Sequence, residues 1–192
     1  TGYAYPFVDK GLLQRTLPYL SGLIPFTYGI LPNGTLVELE DQPLIAAAQQ
    51  MGVTPVMHLS TLTEQGSFDN ELAHLVLTDS QIQSTLIEAV TATMTERGYQ
   101  CLDVDFEFVF AQDAQSYAAF IARLRDTLAP MGWPVIVALV PKISADQPGM
   151  LYAGHDYRLL GAAADLVLLM TYEWGYTYGP PMAVAPLPNV RQ

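Results

Sequence analysis

Apolar residues along this chain gather in six short runs, at 2–8, 22–28, 54–59, 101–108, 134–140 and 165–172. Between them lie stretches where apolar positions recur every three or four residues. Short β-rich runs alternating with helical periods are the pattern of parallel βαβ units and argue against a sandwich or a helical bundle. Two runs, Val135-Ile136-Val137-Ala138-Leu139-Val140 and Leu166-Val167-Leu168-Leu169-Met170, are apolar throughout. That is expected of strands covered on both faces.

The clearest helix is predicted over 79–97, where Ile82, Leu86, Ala89, Val90 and Met94 share a face and Gly98 supplies a C-terminal stop. Thr78 and Gln81 predict a capping box at its start. A second helix is predicted over 113–129, with Tyr117, Phe120, Ile121, Leu124 and Leu128 on its apolar side. Weaker patterns fit helices over 10–20, 43–51 and 156–163, and Leu187-Pro188-Asn189-Val190 looks like the start of another. The segments 29–41 and 60–77 read as long loops at strand ends, where this architecture builds its sites. The fold class is therefore α/β, a (β/α)8 TIM barrel of which the chain carries about the first six βα units. A closed barrel takes roughly 250 residues, whereas the sequence has 192. The expectation is one partial barrel domain over 1–192, truncated after its sixth strand. Unpaired strand edges then predict self-association or inactivity for a chain of this length.

Composition narrows the partners. A formal net charge of -11, from 19 acidic and 8 basic residues, repels a phosphate backbone, so nucleic acid is not an expected partner. No apolar run approaches the roughly 18 residues of a membrane span. The start, Thr1-Gly2-Tyr3-Ala4-Tyr5-Pro6, shows no signal peptide. The single cysteine, Cys101, allows no internal disulfide and reads as a packing residue. His58, His74 and His155 have no metal-ligand spacing and read as structural, so neither metal nor cofactor is expected. Ser60 and Ser144 lack a His/Asp arrangement for nucleophilic chemistry.

The fourth run carries the candidate chemistry. Side chains alternate along a strand, so Asp103, Asp105 and Glu107 are expected on one face, with Leu102, Val104, Phe106 and Phe108 on the other. Neighbouring carboxylates about 6.5 to 7 Å apart along the strand couple electrostatically, and one of them retains a proton. A glycosidic oxygen needs such a neutral acid as its donor, and Glu107 is nearest the open end of the strand. Two other readings fit the same residues: an exposed edge strand with acids pointing outward, or a hard-cation site for Mg²⁺ or Ca²⁺.

The run Tyr99-Gln100-Cys101-Leu102-Asp103-Val104-Asp105-Phe106-Glu107 resembles the signature of glycoside hydrolase family 18, Asp-x-Asp-x-Glu after an Asp-Gly pair. Gln100 and Cys101 depart from that leading pair. Val137-Ala138-Leu139-Val140-Pro141-Lys142, the stretch from Tyr152 to Tyr157, Met170-Thr171-Tyr172-Glu173-Trp174-Gly175 and Gly179-Pro180-Pro181-Met182-Ala183-Val184-Ala185-Pro186 sharpen it. Together they look like the spore cortex-lytic N-acetylglucosaminidases of spore-forming bacteria. The resemblance covers most of the chain beyond about Gly98; the third strand lacks the Ser-x-Gly-Gly end common in family 18 chitinases.

The resemblance implies a glycosidase that cleaves β-1,4 bonds at N-acetylglucosamine in peptidoglycan by a retaining, substrate-assisted route, an exception to two-carboxylate schemes. It implies Glu107 as acid/base and Asp105 as the group orienting the 2-acetamido nucleophile. Asp103 would exchange a proton or hydrogen bond with Asp105, and Tyr172 would hold the acetamido carbonyl. It also implies a polysaccharide partner and a spore coat, cortex or cell-wall location. Trp174 in the loop after the sixth run is expected to stack on a sugar. Tyr28, Tyr5, Lys142 and Glu173, at or near strand ends, are further substrate-binding candidates. The competing reading is a family 18-like protein that binds chitin or peptidoglycan oligosaccharides without cleaving them; a third is a metal-dependent hydrolase on the same carboxylates.

Overall fold

The computed structural model describes residues 1–63, 67–172, 174–175 and 178–191. Six strands form one parallel sheet in chain order: β1 (Gly2–Ala4), β2 (Gly22–Pro25), β3 (Thr54–Ser60), β4 (Cys101–Asp105), β5 (Val135–Leu139) and β6 (Leu166–Leu169). Between them run α1 (Lys10–Thr16), α2 (Gln42–Gln50), α3 (Asn70–Thr78), α4 (Ser80–Arg97), α5 (Ala114–Leu128), α6 (Met150–Ala153) and α7 (Tyr157–Ala163), and α8 (Leu187–Val190) follows β6. A strand order that never reverses is the winding of a barrel, because a doubly wound sheet changes direction at a switch point.

Strand alternation sorts the side chains into two layers. Leu102 and Val104 of β4, Met57 and Leu59 of β3 and Val135, Val137 and Leu139 of β5 point outward into the main core, against Leu86 and Val90 of α4 and Phe120, Ile121 and Leu124 of α5. Ile24, Val56, Cys101 and Ile136 point inward and pack on one another inside the curl of the sheet. The parallel register sets Val56 beside Cys101, His58 beside Asp103 and Ser60 beside Asp105. The inward face of β3 and β4 thus passes from apolar to ionisable toward the C-terminal end.

Several boundaries differ from the pattern-based expectation. The segment 60–77 is not a loop throughout: Ser60 ends β3 and the second half is α3, whose residues Leu72, Ala73, Val76 and Leu77 are buried. Their i, i+1, i+4, i+5 spacing is helical. Asp69 caps this helix by accepting from the Glu71 and Leu72 amides. One residue, Asp79, separates α3 from α4, and its carboxylate accepts from Gln81 N–H at 2.8 Å and Ile82 N–H at 3.0 Å. Thr78 therefore cannot form the expected capping box: it closes α3, its hydroxyl donating to the His74 carbonyl. β5 is buried on both faces as expected, but β6 is not. Leu166, Val167 and Leu169 are 56%, 43% and 47% exposed, because the only strand beside β6 among the described residues is β5.

A buried carboxylate ties the loop after β2 to the start of β4. Asp41 accepts from the hydroxyls of Tyr28 and Tyr99 and pairs with Arg97 Nη1 at 2.8 Å. Removing one member of a buried, fully bonded ion pair typically costs about 3 to 5 kcal/mol. Tyr28 is thereby spent in the outer core: it is 2% exposed and does not reach the cleft as a sugar-binding residue. Among the described residues no helix is long and apolar enough to cross a membrane.

Candidate active site

A cavity of ≈ 320 Å³ opens at the C-terminal end of the strands, lined by Tyr3, Tyr5, Phe26, Asp105, Glu107 and Tyr172, among others. Barrel enzymes place their chemistry at this end because the loops leaving each strand converge there. A wider opening of ≈ 510 Å³ at the other end, around Gly22, Thr54 and Cys101, has no carboxylate or imidazole in its wall.

β4 ends at Asp105, so Glu107 lies two residues beyond the strand on which it was expected. The chain turns at Phe108, which has φ 55°. A left-handed phenylalanine costs on the order of 1 kcal/mol or more, and its neighbours hold it there. On one side, Phe106 is fully buried, stacked 5.6 Å from Tyr117 and 5.6 Å from Phe120 of α5. On the other, the turn between α6 and α7 presses on the strand exit.

That turn carries His155, which is fully buried and bonded at both ring nitrogens. Val140 N–H donates to Nδ1 at 3.3 Å, so Nε2 carries the hydrogen and donates to the Phe106 carbonyl at 2.9 Å. Burial pushes its pKa down, with the Phe106 carbonyl opposing, and the neutral ring fits one donated and one accepted bond. His155 is a structural histidine as expected. Its carbonyl bond fastens the residue before Glu107 to the end of β5.

Asp103 lies beneath the cavity with no exposed surface, and Tyr3 Oη donates to its Oδ2 at 2.7 Å. Its carboxyl is pushed up to about 6 by burial, aided by the charge of Asp105 and opposed by His58 and the Tyr3 hydroxyl. Burial also raises the Tyr3 hydroxyl, with Asp103 adding to the effect, so it remains a donor. Asp103 thus stands near its titration point around pH 6 and can give or take a proton.

The raised carboxyl makes a stability prediction. The folded state binds this proton more tightly than the unfolded chain does, so the contribution of Asp103 is full below about pH 4. It is lost as pH rises through about 6. Asp103→Asn is expected to be more stable than the parent at pH 7, by on the order of 2 kcal/mol, and no more stable at pH 4. Urea denaturation at the two pH values measures it; equal midpoints for parent and variant at pH 7 would contradict the buried, strained carboxylate.

The other expected residues divide. Tyr5 is 53% exposed on the cavity wall, its ring stacked on Phe7 at 5.0 Å. Tyr172 lines the same cavity, with its ring 6.4 Å from that of Tyr3. Trp174, 40% exposed, donates from Nε1 to the Thr171 carbonyl at 3.3 Å. Lys142 is not among the residues lining this cavity; it donates from Nζ to the His155 carbonyl at 2.5 Å and lines a separate opening with His155 and Tyr157. Glu173 lies outside the described residues. Sequence alone misses Tyr3, the partner of Asp103, although it shares the alternation of Tyr5. It also makes His58 merely structural, whereas its Nε2 lies 3.5 Å from Asp105 Oδ2 and 3.8 Å from Asp103 Oδ2.

Known proteins can be set beside this geometry. The cortical fragment-lytic enzyme of Bacillus subtilis is 37% identical over 178 residues, 93% of this chain and 41% of the relative. The crystal structure of the Bacillus megaterium spore cortex-lytic enzyme SleL superposes with a TM-score of 0.90 at 31% identity, covering 99% of this chain and 44% of that one. A chitinase from Chromobacterium violaceum superposes with a TM-score of 0.85 at 22% identity, covering 98% of this chain and 61% of that one; that likeness concerns the fold alone. No family model matches. This chain, which spans about two fifths of the curated relatives' length, has the architecture of six consecutive βα units of a chitinase-like TIM barrel.

Proposed function

We propose that the protein is a glycoside hydrolase of the family 18 type that cleaves β-1,4 bonds beside N-acetylglucosamine in peptidoglycan, at the spore cortex or cell wall. One observation carries the reading: Asp105, Glu107 and Tyr172 open on a single aromatic-walled cavity above a buried carboxyl poised near pH 6. Similarity to proteins named cortical fragment-lytic enzyme and spore cortex-lytic enzyme supports the substrate class.

In this reading Glu107 gives its proton to the leaving glycosidic oxygen as the carbonyl oxygen of the substrate's own 2-acetamido group closes on C1. The bond to the leaving sugar breaks, and the positive charge passes to an oxazolinium ring. Asp105 faces that charge as an anion and aligns the acetamido nitrogen, and the Tyr172 hydroxyl donates to the acetamido oxygen. Glu107, now ionised, takes a proton from water, which opens the ring at C1. The two inversions leave the anomeric configuration retained. Tyr5 and Trp174 supply flat apolar faces for neighbouring sugars. The route calls for no metal.

The test is the first-formed anomer. Proton NMR of the full-length protein acting on β-1,4-linked muropeptide oligosaccharides should show the β product before mutarotation, with turnover unaffected by chelator. An α product would sink the substrate-assisted route. Tight binding without turnover would move the protein to the sugar-binding class.

A further inference from the structure

Three buried polar atoms without a hydrogen-bond partner among the described residues stand together inside the sheet: His58 Nε2, Asp103 Oδ1 and Asp105 Oδ1. Unpaired buried polar atoms are rare because each loses its hydration without replacement. Here the two carboxylates face one imidazole, and the three groups answer one another electrostatically.

The imidazole is fixed in place. His58 sits on β3 in register with Asp103 and is fully buried. Its Nδ1 lies 2.5 Å from Thr27 Oγ1, which also meets Ser60 Oγ at 3.0 Å. The ring stacks on Phe26 at 4.9 Å and meets the edge of Tyr3 at 5.3 Å. It can neither swing away nor flip without breaking these contacts, so Nε2 stays aimed between Asp105 and Asp103. The titratable groups that face this cluster are Tyr3 from β1, Cys101, Asp103 and Asp105 from β4, Tyr117 from α5, His155 from the α6–α7 turn, and Tyr172 after β6. Glu107 stands farther out on the cavity wall beside Asp105. Burial raises both the Tyr3 hydroxyl and the Cys101 thiol, the latter to about 12, so neither adds charge near neutral pH. His155, its pKa pushed down by burial and its ring bonded at both nitrogens, stays neutral, which leaves His58 as the imidazole that can carry a positive charge beside the carboxylates.

We propose that His58 is a positioning residue that gives the proton of the Asp103/Asp105 pair a third resting place, on β3, and so keeps Asp105 ionised beneath the reacting sugar. A neutral imidazole with protonated Asp103 and ionised Asp105 has the same net charge, −1, as an imidazolium with both carboxylates ionised. One proton moves between Asp103 and Nε2, and the cluster never has to hold two bare anions. Coupled groups of this kind titrate as a unit.

The activity arm of this proposal rests on the glycosidase reading; its spectroscopic arm does not. In His58→Gln the carboxylates lose the imidazole whose Nε2 lies 3.5 and 3.8 Å from them. An opposite charge at this range lowers a carboxyl pKa by about one unit or more. The acidic limb of the kcat/KM profile should therefore move up by about one pH unit, while KM at the optimum stays within about threefold. A variant whose profile is scaled down with the limb unmoved would overturn the proposal, since that is what lost packing alone produces. Carboxyl ¹³C NMR of the full-length protein, with no substrate, should show the Asp103/Asp105 titration rising by a similar amount in the variant; an unmoved titration overturns it. If the variant does not fold, ¹⁵N NMR of the parent decides: the His58 nitrogens should respond in step with the carboxyl titration, and an Nε2 without a proton at every pH from 4 to 8 overturns it. A parent protein that cleaves nothing would remove the glycosidase reading and leave the NMR result for His58 standing.

Discussion

Glu107→Gln in the full-length protein is expected to lower kcat/KM on N-acetylglucosamine oligosaccharides by about 10³-fold, within the 10² to 10⁴ that a positioned general acid typically supplies. Glutamine keeps the shape and a donor but cannot release a proton to the leaving oxygen. Affinity for an uncleaved oligosaccharide should remain within about threefold, because the cavity wall of Tyr5, Phe26 and Tyr172 is untouched. The loss should also depend on the leaving group: an aryl glycoside whose phenolate departs unaided should lose far less than an oligosaccharide. Near-normal release of muropeptides by the variant would remove Glu107 from the acid role. An equal loss on both substrates would point to a displaced loop instead of a missing proton.

Much of this site could be read from the sequence because strand alternation is a strong local signal. The apolar partners Leu102, Val104 and Phe106 did point to the outer core, which turned Asp103 and Asp105 inward. The remainder depended on distance. Tyr3 meets Asp103 across 100 positions of sequence, and nothing local distinguishes it from Tyr5, two residues on. Tyr28 shows the converse error: a tyrosine just after a strand looked like a cleft residue, but its hydroxyl answers the buried Asp41. His58 was legible in part. It interrupts the apolar run of β3 at the same parity as Val56 and Ser60, which marks it as inward, yet only the register beside Asp103 reveals what it faces. α3 was missed for a different reason. Its signal is nine residues long and begins directly after a polar stretch, so the loop reading of 60–77 absorbed it.

The exit of β4 is where fold and chemistry meet, and a single methyl group should expose that dependence. A Cβ at Gly154 would lie 2.4 Å from the Val109 carbonyl oxygen and 2.5 Å from Val109 Cβ, contacts no real side chain sustains. Val109 is 1% exposed and two residues past Glu107, so it can yield only by moving the turn that carries Glu107. Gly154→Ala is expected to cost about 3 kcal/mol, the upper end for an overpacked core site. Because His155 is the next residue, its bond to the Phe106 carbonyl should stretch as well, and turnover should fall in the fraction that remains folded. Gly161 provides the comparison. It lies within α7, where an added methyl would meet nothing inside 4 Å, so the same change there should stabilise by about 0.5 to 1 kcal/mol through helix propensity. Thermal and urea unfolding of the two variants should therefore move in opposite directions, with activity lost in Gly154→Ala and kept in Gly161→Ala. A Gly154→Ala protein as stable and active as the parent would mean that the α6–α7 turn does not brace the strand exit, and that the placement of Glu107 rests on β4 and α5 alone.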